Sequence, residues 1–440
     1  MLSPAMIRNL LKHLEKIYFE KYESDIRGVT GQVLEQLAQK CPERLCENPS
    51  GPGTASFVLF GCWDASEVVA NGFQSAWQEY ILGLGSALIE EQLAELLRQP
   101  LEHIAGENWP LRIQSAKALS EVARMVERDA RAGDAGNPEG SAGSGNGLVP
   151  ASVETLARTA LPELVKASRG RRWPGKEHVL GSLVGVCAAC ARALAANADS
   201  DMQNLPATVC DILLKEMKHG EIPYRREVIK HYCTLVERMD LDVYSEMSGA
   251  LLEMVEQMST AGQKQNDSGN AMDVDDDDDA AMKRPQQLML VSTAIKALQL
   301  TLEKSQSLLL EEAVKAADVL RSAAQIGVWN VRVASLECLA ELLERCVALK
   351  LNDSTDGGSF PIDIALVLDA VRLCAAEGKY VSVRVAALKA LGAALGAIKA
   401  ASSDDSADDR VLQWNQEAGA VRELFLKDPV PSVSDRAKEL

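Results

Sequence analysis

An apolar pattern that recurs after a basic residue constrains the fold of this chain more than any other sequence feature. Apolar residues stand 4, 7, 10 and 11 positions after the basic residue in the clearest copies, which begin at Arg112, Lys176, Arg332 and Arg384. This spacing places the apolar side chains on one face of an α-helix, because one turn takes about 3.6 residues. Related stripes follow Arg27, Ala70, Arg225 and Val291. The chain is therefore predicted to be a series of amphipathic helices.

The distance between successive copies indicates the class of repeat. The shortest step, from Val291 to Arg332, is 41 residues, and the longest, from Arg225 to Val291, is 66. A period of about 40–47 residues is typical of HEAT-type helix pairs, and the longest steps contain inserts. A second amphipathic helix precedes most copies, so the chain reads as helix A, a turn and helix B, repeated. We predict an all-α fold, an α-solenoid of about eight or nine HEAT-type helix pairs.

The composition agrees with helices and limits the classes of partner. Aromatic residues make up only 4% of a chain that is 47% hydrophobic, so alanine and leucine, which favour helices, carry most of the apolar content. The net charge of −17 repels a phosphate backbone and argues against nucleic-acid binding. No apolar run approaches the roughly 20 residues of a membrane span, so we expect no membrane insertion. Ten cysteines without a signal peptide are typical of reduced thiols, and we expect a location in the cytoplasm and nucleus.

Composition also divides the chain into regions. A glycine-rich stretch at residues 131–147 is predicted to be a flexible linker. An aspartate-rich run lies within residues 261–286, where repulsion between carboxylates predicts a disordered insert. The remaining ranges, 1–130, 148–260 and 287–440, are predicted to hold HEAT-type repeats, the last of which is cut off.

Three of the six tryptophans stand just before the repeated stripe. Their contexts are WPLR, WPGK and WNVR, each with a basic residue three positions after the tryptophan. We interpret these segments as the turn between helices A and B, where Trp173 covers the apolar gap at the bend. Pro174 fits the first turn of helix B, where an amide has no partner in any case. The predicted turn residues of the repeat are Trp109, Trp173, Trp329, Arg112, Arg332 and Arg384.

Residue types that catalyse reactions or bind metals are present without the spacing that such chemistry needs. The glycine–lysine pair at 175–176 is followed by Glu177, whereas a phosphate loop requires serine or threonine there. The five histidines are scattered. The single CxxC motif, Cys187 and Cys190, lacks a second pair, which favours core packing over a metal or redox site. We predict no catalytic, metal-binding or cofactor-binding residues and no cofactor.

One basic cluster is unusual in so acidic a chain. The simplest interpretation is a solvated turn between two helices. The sharper hypothesis is a basic ridge that docks an acidic protein surface. The five cationic residues fall within eleven positions and are Lys166, Arg169, Arg171, Arg172 and Lys176.

Three segments together resemble one known family. GRRWPGKEHVLGSLVGVC, ENWPLRIQSAKALSEVA and SEVVANGFQSAWQEY are similar, in order and spacing, to the carboxy-terminal region of the large HEAT-repeat proteasome adapter and scaffold proteins. The resemblance covers most of the chain apart from the glycine-rich and aspartate-rich inserts. Because members of that family are several times longer, we expect this chain to correspond only to their last part.

The resemblance implies a non-enzymatic scaffold that binds proteasome subunits, bridges the core and regulatory particles and links them to further cargo. The residues alone support only an interaction scaffold, because stacked helix pairs present long protein-binding surfaces. A nuclear-transport receptor or a phosphatase scaffold built from the same repeats stays open as an alternative. An enzyme with dispersed catalytic residues is a further alternative, although helical solenoids rarely form the enclosed pocket that chemistry needs.

Overall fold

The structure is a computed structural model. It describes residues 4–21, 23–40, 54–85, 87–135, 149–196, 200–266, 277–325, 328–349, 360, 362–402 and 409–440. Within these ranges every regular element is an α-helix. The described residues therefore confirm the predicted all-α fold. They divide into two compact units, residues 1–213 and 214–440.

The first unit alternates A and B helices from its first helix onward. Helices α2, α4, α7 and α9 carry the B stripes, and α1, α3, α6 and α8 are their A partners. The helices are α1 Pro4–Glu20, α2 Ser24–Lys40, α3 Thr54–Gly61, α4 Glu67–Leu84, α5 Ala87–Glu90, α6 Leu93–Ile104, α7 Trp109–Ala135, α8 Ala151–Ser168, α9 Lys176–Ala189, α10 Ala191–Ala196 and α11 Ser200–Gln203.

The second unit repeats the alternation. Helix α12, Leu205–Met217, begins in the first unit and ends in the second. Helices α13, α15, α17, α19 and α21 are B helices, and α14, α16, α18 and α20 are A helices. Their bounds are α13 Ile222–Met239, α14 Tyr244–Asn266, α15 Asp277–Lys304, α16 Leu310–Ala324, α17 Trp329–Ala348, α18 Ile364–Ala375, α19 Val381–Ala401, α20 Asp409–Leu426 and α21 Pro431–Glu439.

Each unit is stacked in two layers of helices. In the second unit, α13, α15, α17 and α19 pack side by side as one layer, and α14, α16, α18 and α20 form the other. In the first unit, α2 packs against α4 and α7 against α9 among the B helices, and α6 packs against both α3 and α8 among the A helices. This stacking of helix pairs is the local architecture of an α-solenoid.

The repeated apolar stripe forms the core between the layers. In α17 the four stripe positions, from Leu336 to Leu343, are fully buried, and the same holds in α9 from Leu180 to Cys187. Each buried leucine contributes about 1.5–3 kcal/mol to folding. Helices of about 12–20 residues are marginal alone, so burial of this stripe against neighbouring pairs stabilises them.

Helices extend into both of the regions predicted to lack structure. Helix α7 continues to Ala135, five residues into the predicted linker, whose residues 136–147 lie outside the described ranges. Helix α14 ends at Asn266 and α15 begins at Asp277, so both enter the predicted insert, and residues 267–276 lie outside the described ranges. The flexible linker and the disordered insert therefore stay predictions, with helices observed at their edges.

No apolar run close to the length of a membrane span was expected from the sequence, but one helix in the described part of the chain reaches that length. Helix α19 is 21 residues long and apolar enough to match a membrane span by length and composition. Its most apolar stretch is 61% buried inside the protein, where α17 packs against it. Small residues and leucines on nearly all sides make α19 a core helix between neighbouring pairs.

Candidate protein-binding surface on the A–B turns

The turn around Trp173 joins α8 to α9 through two glycines with left-handed backbone angles. Gly170 has φ of 93° and Gly175 has φ of 100°, a region that residues with a side chain rarely adopt. Helix α9 begins at Lys176, so Pro174 lies in the turn before the helix. The prediction that Pro174 occupies the first turn of helix B was therefore wrong, because Gly175 provides the amino-terminal cap instead.

Lys176 lies inside this turn and not on its surface. Its side chain is fully buried, and Nζ donates a hydrogen bond to the carbonyl oxygen of Gly170 at 3.0 Å. An ammonium group can be buried where it is held by such acceptors. Lys176 therefore closes the turn, and its predicted role in a surface ridge was wrong.

Trp173 is the packed centre of the turn. Its ring is 7% exposed and stacks against Trp109, with ring centroids 6.2 Å apart. The guanidinium of Arg112 lies over the Trp173 ring at 4.3 Å, a cation–π contact. Arg112 Nη2 also donates to the carbonyl of Ala167 at 2.9 Å. The first residues of α7 are thus joined to the turn of the next helix pair.

Other basic residues of the B helices make the same kind of contact with the next turn. Arg27 in α2 donates from Nε and Nη2 to Asp64 at 2.9 and 3.1 Å. Arg332 in α17 donates to Glu377 at 2.8 Å. Each pair joins a B helix to the A–B turn of the following pair, so contacts of this kind recur within each of the two units.

The last of three such ion pairs along the chain is the most buried. The side chains of Arg384 and Asp428 are 7% and 5% exposed, and Nε lies 2.6 Å from Oδ2. Arg384 Nη1 donates to the carbonyl of Glu377, and Asp428 Oδ1 accepts from the amide of Val430. Because every one of these charges has a partner, the pair is compatible with burial.

The aromatic stack is also repeated. Trp329, the first residue of α17, stacks on Tyr380 in the next A–B turn, with centroids 5.7 Å apart. Trp109 and Trp329 both remain about half exposed, at 48% and 45%. The two stacks therefore present a flat apolar ring to solvent at equivalent places in two different repeats.

Of the six predicted turn residues, only Trp173 lies in a turn. The other five lie in the B helices α7, α17 and α19, where they contact the following turn, and the sequence interpretation did not identify their partners; the five are Trp109, Arg112, Trp329, Arg332 and Arg384. The missed residues are Asp64, Tyr380, Glu377 and Asp428. The carboxylates lie 37, 45 and 44 residues after their arginines, which is about one repeat. An acidic residue about one period downstream is a feature that these three arginines share, whereas Arg112 binds the carbonyl of Ala167 instead, so the feature does not hold for every stripe.

The remaining cations of the predicted ridge lie where a partner can reach them. Arg169 and Arg171 are exposed, and Arg172 is half buried. Lys166 is exposed, with its Nζ 3.7 Å from Glu163. The surface around the turn therefore carries three exposed cations, Lys166, Arg169 and Arg171.

The described residues offer little reactive chemistry. They contain no group of three or more His, Cys, Asp or Glu side chains arranged to hold a metal ion. Eight cysteines are free within these ranges, and seven of them are buried. Burial raises the pKa of the Cys187 thiol to about 12 and that of Cys374 to about 11, which keeps both as unreactive thiols.

Comparison with known proteins gives one curated relative and a broad group of solved structures. The human proteasome adapter and scaffold protein ECM29 is 20% identical over 256 residues, which cover 57% of this chain. The chain spans only 12% of the length of that relative. One similar solved structure is importin beta, with 12% sequence identity and a TM-score of 0.41. Another is Kap95p bound to RanGDP, with 11% sequence identity and a TM-score of 0.39. They cover 99% and 98% of this chain, and this chain aligns with 56% and 55% of theirs.

The family model gives the more specific match. The model described as ECM29, C-terminal ARM-like repeats, matches residues 200–422, just over half of the 440 residues. This range contains the Trp329 stack and the ion pair of Arg332 with Glu377. The Trp173 turn lies before it, and Asp428, the partner of Arg384, lies after it. The repeated helix pairs and this match together show that the chain belongs to the family of ECM29 C-terminal ARM-like repeats.

Proposed function

We propose that this chain is a non-enzymatic scaffold that binds the proteasome. The observation that carries the proposal is the match of residues 200–422 to the ECM29 C-terminal repeats. The human relative, which is named a proteasome adapter and scaffold protein, supports the same assignment.

The architecture is compatible with such a role. Stacked helix pairs bury their apolar stripes against each other and leave the turns and outer helix faces for protein partners. The exposed rings of Trp109 and Trp329 lie on these turns, and aromatic side chains are enriched in protein interfaces. Within the proposed role, the chain tethers core and regulatory particles and recruits further cargo.

The cellular location is a further part of the proposal. We propose that the chain acts in the cytoplasm and the nucleus. The eight cysteines in the described ranges form no disulfide, and buried free thiols are usual in these reducing compartments.

The test is affinity purification of the tagged full chain from cell lysate, with quantitative mass spectrometry of the bound proteins. We expect subunits of the proteasome core particle and regulatory particle to be enriched. The control is a purification with a tagged karyopherin, which has the same kind of repeats. Peptidase activity of the eluate would report intact core particle. Enrichment of a nuclear-transport GTPase or of a phosphatase catalytic subunit, without proteasome subunits, would refute the proposal.

A further inference from the structure

The exposed cations of the Trp173 turn are available to a partner. Arg169 and Arg171 are exposed, and neither forms an ion pair with another described residue. The carboxylate of Glu163 lies 3.7 Å from Lys166 and is itself 40% exposed. Exposed pairs of this kind contribute little and exchange readily with other carboxylates. The turn therefore has a local positive charge within a chain of net charge −17.

The turn is held rigidly by contacts on its inner side. Lys176 Nζ donates to the carbonyl of Gly170 between the two exposed arginines. Arg112 donates to the carbonyl of Ala167, two residues before Arg169. Because the backbone between 167 and 176 is fixed, a ligand that binds these arginines does not have to order it.

An apolar surface lies beside the cations. The exposed ring of Trp109 stacks on Trp173, two residues after Arg171. A half-exposed indole contributes contact area at low conformational cost and tolerates different apolar side chains. We call the combination of Lys166, Arg169, Arg171 and Trp109 the cation–aromatic platform.

We propose that the cation–aromatic platform binds a short acidic peptide segment that carries an apolar or aromatic residue. The guanidinium groups of Arg169 and Arg171 bind glutamate or aspartate carboxylates, since their planar donors match a carboxylate. The apolar residue of the peptide packs on the ring of Trp109. This inference does not rest on proteasome binding, because it concerns the class of ligand that one turn takes.

The charge of the whole chain favours a short peptide over an extended polyanion. A nucleic acid or an anionic membrane surface extends well beyond the turn and meets the field of an acidic protein with net charge −17. A peptide of a few residues meets only the local cations, because the Debye length is about 8 Å at physiological ionic strength.

The second unit contains a matched turn without the cation cluster. Trp329 is as exposed as Trp109 and stacks on Tyr380 in the same way. There the nearby carboxylate of Glu377 is bound by Arg332, and the single lysine, Lys379, packs over the Tyr380 ring at 5.1 Å. This turn supplies a control with the same aromatic stack and a different charge.

The experiment titrates the purified full chain into a fluorescein-labelled synthetic peptide with glutamates on both sides of one phenylalanine. Fluorescence anisotropy reports binding, and circular dichroism checks that each variant keeps its helix content. Arg169→Ser with Arg171→Ser should weaken binding by about 2- to 30-fold, the sum expected for two exposed charge pairs. The control Lys379→Ser with Lys427→Ser removes the same charge from two exposed lysines on other A–B turns and should leave binding unchanged.

The aromatic part is tested by a second pair of variants. Trp109→Ala should weaken binding of the phenylalanine peptide, and Trp329→Ala should not. Replacing the glutamates of the peptide with glutamine should abolish the salt dependence of binding. Three results would overturn the proposal. The first is no saturable binding of the peptide below about 1 mM, and the second is an equal loss of binding in the lysine double variant. The third is tighter binding of single-stranded oligothymidine or phosphatidylserine vesicles than of the peptide.

Discussion

At the scale of single residues, the backbone of the Trp173 turn depends on two glycines for different reasons. Gly170 needs its left-handed angle, but a methyl group there would meet no atom within 4 Å. A methyl group on Gly175 would lie 2.2 Å from Ile113 Cδ1, in addition to the left-handed angle. Gly185 lies inside α9 with no atom within 4 Å of an added methyl group and with an ordinary helical angle.

Alanine substitutions at these three glycines distinguish the effect of backbone strain from the effect of steric crowding. Gly185→Ala should raise the free energy of unfolding by up to about 1 kcal/mol, because alanine favours a helix. Gly170→Ala should lower it by about 1–2 kcal/mol through backbone strain alone. Gly175→Ala should lower it by a further 1–3 kcal/mol or so, because Ile113 must move. Urea unfolding followed by circular dichroism measures the free energy of unfolding of all three variants. If Gly175→Ala lowered this free energy by no more than Gly170→Ala does, that result would contradict this account.

The buried thiols make a second prediction at the residue scale. Burial, with a smaller effect from nearby Cys210, raises the pKa of Cys187 to about 12. A thiol with raised pKa is protonated at pH 8, so its thiolate fraction falls by roughly a thousandfold relative to an ordinary cysteine. Alkylation of Cys187 by iodoacetamide at pH 8 should therefore be far slower in the native chain than in urea. Mass spectrometry of timed digests measures this, and equal rates would show that the site opens readily.

At the scale of elements, a proline inside α6 is compensated by a serine from α3. Pro100 has no amide hydrogen, so the carbonyl of Leu96, four residues earlier, lacks its helical donor. Ser56 Oγ donates to this carbonyl at 3.0 Å and accepts from the amide of Gln99 at 2.9 Å. One buried hydroxyl thus satisfies two backbone groups and holds α3 against α6.

Ser56→Ala should therefore destabilise the chain by about 1–3 kcal/mol, the cost of leaving buried polar groups unpaired. The matched control is Ser335→Ala in α17, which is equally buried but whose hydroxyl donates only to the carbonyl of Val331 in its own helix. That carbonyl keeps its helical amide donor, so the control should cost less than about 1 kcal/mol. Urea midpoints compare the two variants, and equal losses would show that the Leu96 carbonyl does not depend on Ser56.

At the scale of the whole molecule, stacked repeats distribute stability locally. In such proteins each pair contacts mainly its neighbours, so a local defect opens nearby helices before distant ones. The buried ion pair of Arg384 and Asp428 is a suitable place for such a defect, since it joins α19 to the turn between α20 and α21. Removing one charge leaves the other buried without compensation.

Asp428→Asn should cost about 3–5 kcal/mol locally and should raise amide hydrogen exchange in α19, α20 and α21. Exchange in α1 to α4 should stay at the level of the unmodified chain. Glu154→Gln, which breaks the exposed pair with Arg158, serves as the control and should change exchange little. An increase that is uniform along the chain would contradict local stacking and would indicate a single cooperative unit.

The repeat period, the B-helix stripes and the A–B turns could be predicted from the sequence because they follow from local spacing. A helix has about 3.6 residues per turn, so residues at that spacing share one face of the helix independently of the rest of the chain. All four residues of the predicted stripe of α17 are buried. The linker and insert bounds were less accurate, since composition does not show where a helix such as α15 begins. The contacts between repeats could not be predicted from local spacing.

The sequence by itself determined an all-α chain of helix pairs, because helical periodicity and apolar burial are encoded over a few turns. Only the tertiary structure decided which charges of the turns face inward and which face solvent. Lys176 and Arg169 are close in sequence and both carry a cationic side chain, yet Lys176 is buried against a carbonyl and Arg169 is exposed. Likewise, Arg384 meets Asp428 across 44 residues because two helix pairs stack in register. Such choices depend on contacts about one repeat apart, and a charge pattern along the chain does not specify them.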